Sequence, residues 1–152
     1  MGTRRIEGKA VGRMNDGIEP RIRPGADMAP ALNGATRLLS SAAPDSAGDT
    51  VLAALHDEIA ARAGQFEWVG YLSTTGVYGD HGGDWVDETT PLTPSTKRGI
   101  ARVQAESAWA AIPDLPLHIF RLAGIYGPGR GPFAKVRAGT ARRIIKADQV
   151  FS

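Results

Sequence analysis

Three short apolar segments that alternate with two helix-length segments constrain the fold of this chain most strongly. The apolar segments cover residues 35–42, 66–73 and 117–123, and glycine, proline or serine residues lie around them. Segments of this length and composition are typical of β-strands. Strands that are separated by a helix pair in parallel through right-handed crossovers. The order therefore predicts an α/β fold, a partial Rossmann-like three-layer sandwich with a parallel sheet.

Between and after these strands, the sequence predicts an amphipathic helix, a long loop, a short helix and a weak strand. Over residues 51–59, apolar side chains recur every four positions, which predicts a helix packed on the sheet. Residues 74–94 contain four glycines and four acidic residues, which predicts a long loop, and loops of this length are often functional. A short helix is expected around residues 133–137, followed by a weak strand at residues 143–146.

A second helix is predicted from a capping Ser95 or Thr96 to about Ile112. Its charged residues form a stripe at four-residue spacing that consists of Arg98, Arg102 and Glu106. The apolar residues near one face are Ile100, Val103 and Ala108.

The composition fits an ordinary globular protein and excludes several functional classes. The 152 residues include 42% hydrophobic and 22% charged residues, and the absence of cysteine excludes a disulfide framework, a thiolate nucleophile and a cysteine zinc site. Because the net charge is only +2, neither nucleic acid nor a membrane is expected as a partner. No signal peptide or apolar span is found, and a cytoplasmic location is expected.

Residues 1–30 are expected to be an irregular lead-in, and residues 31–152 one partial Rossmann-like domain.

Two loops that follow predicted strands carry the most informative motifs. Ser-Thr-Thr-Gly-Val-Tyr-Gly occupies residues 73–79, Ala-Gly-Ile-Tyr-Gly-Pro occupies residues 123–128, and Thr-Pro-Ser at residues 93–95 opens the second helix. In open parallel sheets, ligands bind outside the carboxyl ends of the strands. In order and spacing, these motifs resemble the extended short-chain dehydrogenase/reductase superfamily, in its NAD-dependent epimerase/dehydratase-like branch, over about residues 35–152.

The resemblance implies roles for individual residues. Thr74 falls where the family places the hydroxyl that hydrogen-bonds the reacting carbonyl, and Glu106 aligns with the family's helix glutamate. Arg98 and Arg102 stand where the family has the tyrosine and lysine of its proton relay. The predicted catalytic residues are therefore Thr74, Arg98 and Arg102. The cofactor, NAD or NADP, is expected at Ser73, Thr74, Arg102 and Ala123, and a small-molecule substrate at Tyr78, Arg98 and Arg130.

Several of these residues have a second interpretation. A guanidinium offers only hydrogen-bond donors, so Arg98 and Arg102 do not replace a phenol in proton transfer, but together they suit an anionic substrate group. Alternatively, Arg102 and Glu106 form an exposed pair on the helix. Thr74 alternatively caps a turn, and Tyr78 anchors packing. The acidic residues around His81 match no metal-site spacing, so no metal is predicted.

One feature of the resembling family has no counterpart in this sequence. The family opens with a strand, a glycine-rich turn and a helix that binds the dinucleotide pyrophosphate, and no such unit is present here. We therefore expect a truncated protein of NAD(P)-dependent oxidoreductase or epimerase type. The alternatives are a non-catalytic binding or scaffold protein and an inactive remnant. The sequence does not indicate an oligomeric state.

Overall fold

The structure, a computed structural model, describes residues 28–142 and is built on a sheet of three parallel strands. These strands are β1 (Arg37–Ser40), β2 (Trp68–Thr74) and β3 (Leu117–Leu122). They lie side by side in the order β1-β2-β3, with β2 in the centre. The predicted α/β fold, a partial Rossmann-like arrangement with a parallel sheet, is confirmed.

Two α-helices connect the strands and a third follows β3, where the sequence indicates them. The α-helices are α1 (Leu52–Ala60), α2 (Lys97–Ala110) and α3 (Pro132–Arg137), and short 3₁₀ turns occupy Ala29–Leu32, Ala63–Gln65 and Thr75–Val77. Within residues 28–142, no helix combines the length and the apolarity needed to cross a bilayer. The lead-in up to residue 27 and the strand expected at residues 143–146 lie outside the described residues.

The core lies on one face of the sheet. Val69 and Tyr71 of β2 are fully buried there, and Ile59 of α1 and Trp109 of α2 pack into the same cluster without exposure. Tyr71 and Trp109 have ring centroids 6.0 Å apart, in a tilted arrangement that suits the ring quadrupoles. The two crossover helices therefore cover the same side of the sheet.

The opposite side of the sheet carries apolar side chains that are partly exposed. Leu39 is 56% and Phe120 41% exposed. The Trp68 ring stacks on His118 at a centroid distance of 5.9 Å, and a Cβ at Gly70 would overlap that indole. We call the side formed by Leu39, Trp68, His118 and Phe120 the open face. Residues 28–142 thus supply two layers of the predicted three-layer sandwich, the sheet and the helices on one side of it.

Helix α2 buries a different side from the one that its sequence suggested. The side chains of Arg102 and Glu106 are inside, together with Ala105 and Trp109, whereas Ile100 is 44% exposed. The alternative of an exposed Arg102–Glu106 pair is therefore wrong. The physical reason is that each charged group finds its hydrogen-bond partners beneath the helix, which offsets the loss of water.

Candidate functional site

A cleft opens where β2 and β3 end at the same edge of the sheet. Thr74 and Leu122, the last residues of these strands, are register partners, which brings the two following loops together. The cleft has a volume of about 380 Å³, and helix α2 contributes one of its walls. Its lining residues are Ser41, Leu72, Ser73, Thr74, Arg98, Arg102, Leu122, Ala123, Ile125 and Arg130.

The cleft brings together most of the residues that the sequence singled out. The predicted site residues that line it are Ser73, Thr74, Arg98, Arg102, Ala123 and Arg130. Tyr78, predicted to bind substrate, does not line it. The Tyr78 side chain is 7% exposed, and its hydroxyl accepts a hydrogen bond from Arg121 Nη1 at 3.0 Å. Tyr78 is therefore buried outside the lining of the cleft, and the predicted roles of all these residues stay predictions.

Arg102 is fixed by acceptors from two different strand ends. Its Nη1 donates to the Leu72 carbonyl at 2.8 Å, to the Tyr71 hydroxyl at 3.0 Å and to the Ala42 carbonyl at 3.3 Å. These bonds tie α2 to the end of β2 and to the segment after β1. Burial raises the pKa of Tyr71 above its ordinary value, because a phenolate would lose hydration, although the hydrogen bond from Arg102 opposes this shift.

A second buried group of polar residues lies beside Arg102, and we call it the polar clamp: Ser73, Tyr78, Glu106 and Arg121. The Ser73 hydroxyl donates to Glu106 Oε1 at 2.5 Å, and Arg121 Nη2 donates to Glu106 Oε2 at 2.9 Å. The Arg121 guanidinium also lies 5.0 Å from the centre of the Tyr78 ring. These contacts join β2, β3, α2 and the turn after β2. The hydrogen bond to the Glu106 carboxylate raises the pKa of Arg121 further above its ordinary value, so the guanidinium stays charged.

Sequence reasoning assigned no role to Arg121, although a signal for it exists. In β3, Arg121 follows Leu117 and Ile119 at two-residue spacing, so it points to the core side of the sheet. It is the register partner of Ser73. A cation on the core side of a strand needs a buried anion nearby, and the nearest one in the described structure is Glu106.

Thr74 has the local role that its position after a strand suggested, and it also borders the cleft. Its Oγ1 accepts a hydrogen bond from the Gly76 amide at 3.2 Å and thereby caps the 3₁₀ turn. The hydroxyl proton is still available as a donor. The N-terminus of α2 packs closely on this turn, because a Cβ at Gly99 would lie only 2.7 Å from the Gly76 carbonyl. The turn is therefore held rigidly beside the helix.

The long loop predicted at residues 74–94 is closed by hydrogen bonds near its ends. The Thr93 hydroxyl donates to the Tyr78 carbonyl at 2.7 Å, and Gly79 forms a bridge with Thr93 at a positive φ of 82°. Hydrogen bonds from Thr89 and Thr90 lower the pKa of Asp87 in an exposed turn. In residues 28–142, no three metal-ligating side chains come together.

Comparison with known proteins shows which folds and sequences this chain resembles. No protein-family model matches it. Over 62 residues it is 44% identical to Protein YeeZ of Escherichia coli (strain K12), a match that covers 41% of this chain and 22% of that protein. This chain therefore spans about a fifth of the length of that curated relative.

Two solved structures are similar over most of the chain. A conserved protein of unknown function from Silicibacter pomeroyi is 67% identical, with a TM-score of 0.82, and the match covers 91% of this chain and 48% of that one. A protein provisionally described as an NAD-dependent epimerase/dehydratase, from Methylobacillus flagellatus, is 26% identical, with a TM-score of 0.57, over 85% of this chain and 53% of that one. The chain spans about half the length of both, and its structural neighbours support the epimerase/dehydratase-like superfamily.

Proposed function

We propose that this chain contributes the substrate side of an NAD(P)-dependent oxidoreductase or epimerase of the short-chain dehydrogenase/reductase type. The observation that carries the proposal is the cleft itself. Hydroxyl and guanidinium groups from β2 and α2 converge at the carboxyl edge of a parallel sheet, where ligands of such folds bind. The similarity to the Methylobacillus flagellatus protein supports the same class of cofactor.

The residues of the cleft fit one end of a nicotinamide cofactor. The cleft, of about 380 Å³, has room for a nicotinamide ribose, and three acceptors hold the Arg102 guanidinium in place at its wall. Arg102 and the Ser41 hydroxyl would hold the ribose hydroxyls, while Ala123 leaves space for the ring. When bound, the cofactor accepts or donates a hydride.

The side chains around this position would act on the substrate by hydrogen bonding. The Thr74 hydroxyl would donate to the oxygen of the reacting carbon, and the Arg98 charge would stabilise negative charge that develops there. A guanidinium offers only hydrogen-bond donors, so Arg98 does not perform the proton transfer of a tyrosine. The proposed chemistry therefore depends on electrostatic stabilisation by fixed donors.

A cofactor titration of the complete chain tests this proposal. NADH and NADPH are added separately, and the nicotinamide fluorescence is followed to saturation. The variant Ala123→Leu fills the cleft from an exposed strand end and is expected to abolish saturation. Arg62→Gln, which lies outside the cleft lining, is the control and is expected to titrate like the original chain. Absence of saturation for both nucleotides, or equal binding by Ala123→Leu, would reject the proposal.

The open face favours a second candidate, a non-catalytic binding or scaffold protein. Phe120 and Leu39 expose apolar surface of a kind that commonly marks interaction sites. This candidate predicts that nucleotides do not bind and that self-association or partner binding depends on the open face. Sedimentation at increasing protein concentration, with Phe120→Glu as the test variant, separates the two candidates.

A further inference from the structure

We propose that the cleft binds the oxyanion group, a phosphate or a carboxylate, of a small molecule whose apolar part lies in the hollow next to it. The inference rests on the proposed function in one respect, because it names the substrate class of that same site. It requires no nucleotide, however, and is tested separately.

The charges that line the cleft have one sign. Arg98, Arg102 and Arg130 border it, and no aspartate or glutamate is among its described lining residues. Within residues 28–142, neither Arg98 nor Arg130 forms a salt bridge. Guanidinium groups match the geometry of phosphate and carboxylate oxygens through paired N–H donors. An oxyanion is therefore the ligand group that this lining suits.

The first turn of α2 adds to the positive potential. The turn carries Lys97 and Arg98 and no acidic residue, although the N-terminus of a helix ordinarily favours negative charge. Thr96 already caps this helix by accepting a hydrogen bond from the Gly99 amide at 3.0 Å. Two cations at the positive end of a 14-residue helix oppose its dipole. Of these two cations Arg98 lines the cleft, so an oxyanion bound there would be attracted by the helix end and by Arg98.

Arg102 adds a positive charge that the fold holds in place at the wall of the cleft. Arg102 is only 7% exposed, and its Nε has no hydrogen-bond partner among the described residues. Its Nη1 is held by three acceptors, so the guanidinium is fixed in place while this donor is left unmatched. The fixed guanidinium therefore adds positive charge to the wall of the cleft and does not have to be ordered when a ligand binds.

The second part of the ligand follows from the hollow that shares Arg130 with the cleft. This hollow has a volume of about 480 Å³, and its lining includes Tyr126, Pro132 and Phe133. Tyr126 is 81% and Phe133 77% exposed, so a ligand that covers them removes apolar surface from water. Since Arg130 borders both spaces, an acid with a ring or short apolar body spans them with its charged end in the cleft.

Calorimetric titration of the complete chain with three probes tests the inference. Phenyl phosphate carries both groups, inorganic phosphate carries only the oxyanion, and phenol carries only the ring. We expect phenyl phosphate to bind more tightly than inorganic phosphate and phenol to give no saturable heat. Benzoate in place of phenyl phosphate then shows whether the site prefers a carboxylate or a phosphate.

Variants locate the binding in the structure. Arg98→Gln is expected to weaken phenyl phosphate binding roughly tenfold to a hundredfold, the loss typical of a hydrogen bond to a charged group. Tyr126→Ser is expected to reduce the affinity for phenyl phosphate to that for inorganic phosphate. Arg62→Gln removes a cation outside the cleft and is expected to bind like the original chain. Arg98 is exposed, so its replacement is not expected to unfold the chain, and a thermal melt by circular dichroism verifies this.

Three outcomes would overturn the inference: equal binding of phenol, unchanged affinity in Arg98→Gln, or an equal loss in Arg62→Gln. If Arg98→Gln fails to fold, Arg130→Gln provides the same test from another residue of the lining. The nucleotide titration keeps the two proposals apart. If phenyl phosphate binds and neither nucleotide does, the proposed function is rejected and this inference stands. If a nucleotide binds and phenyl phosphate does not, only this inference is rejected.

Discussion

Helices α1 and α2 pack into the same core but bury different chemistry. In α1, the buried residues are the apolar Leu52, Leu55 and Ile59. In α2, two of the buried residues are the charged Arg102 and Glu106. A helix that buries only apolar groups needs close packing alone, whereas one that buries charges also needs fixed partners for each of them.

The difference shows what each helix does for the molecule. Burial of α1 stabilises the fold through apolar area, and a shortened side chain there leaves a cavity. The buried charges of α2 hold the ends of β2 and β3 beside the cleft, and removal of a partner there leaves an unpaired charge. Substitutions in the two helices should therefore lower the free energy of unfolding by different amounts.

The largest expected effect is on the polar clamp. Arg121→Met leaves the Glu106 carboxylate, whose side chain is 5% exposed, without its cation. We expect the free energy of unfolding to fall by about 3–5 kcal/mol, as when one partner of a buried pair is removed. Urea unfolding at pH 7 measures it. The control is Arg37→Met, which breaks an exposed pair with Glu67 and should cost less than about 1 kcal/mol. Equal losses in the two variants would contradict the comparison.

A cavity in α1 should have the next largest effect. Ile59 has no exposed surface, so Ile59→Ala is expected to lower the free energy of unfolding by about 3 kcal/mol, and Ile59→Val by about 1 kcal/mol. Urea unfolding again measures the change. Because α1 does not line the cleft, both variants should bind phenyl phosphate like the original chain. A loss of affinity as large as that of Arg98→Gln would show that the two helices do not have separate roles.

A side chain accepts backbone amides at the start of each helix, and removal of either acceptor should cost stability. Asp49 Oδ1 accepts hydrogen bonds from the Val51 and Leu52 amides at the start of α1, both at 2.9 Å, and Thr96 caps α2. Asp49→Ala and Thr96→Ala are each expected to lower the free energy of unfolding by about 1 kcal/mol. Thermal melts measure both, with Ser95→Ala as the neutral control. A Thr96→Ala variant of unchanged stability would contradict the cap at the start of α2.

The smallest expected effect is a loss of stability at alkaline pH. Burial raises the pKa of Tyr71 in the folded chain above 10.0, so the unfolded chain releases this proton first. The contribution is fully present below about pH 10 and is lost as the pH rises toward the folded pKa. Tyr71→Phe should remove this part of the decline. Urea midpoints between pH 8 and pH 11 compare the two slopes, and parallel slopes would exclude Tyr71 as the source.

Much of the fold was readable from the sequence because local rules determine it. The strands are short apolar segments between breaker residues, and α1 repeats its apolar residues at a helical period. Thr96 was one of two predicted caps, and it is the residue that accepts the Gly99 amide. The grouping of Arg98 and Arg102 near Thr74 followed from the topology of parallel strands, since their carboxyl ends meet at one edge.

The remaining features depend on tertiary contacts that no local pattern contains. The alternative of an exposed Arg102–Glu106 pair is wrong because Glu106 faces inward, where Arg121, 15 residues away, meets it. Tyr78 lies outside the lining of the cleft because the 3₁₀ turn after Thr74 places it, with Val77, among buried residues. Such partners become visible only when the register of the strands is known.

The stacking of Trp68 on His118 gives the molecule a built-in optical reporter. The three tryptophans occupy different surroundings: Trp109 is fully buried, Trp85 is fully exposed at 101%, and Trp68 lies on the open face. A molecule that covers this side of the sheet should shift the Trp68 emission to shorter wavelength, which distinguishes it spectrally from a ligand held in the cleft.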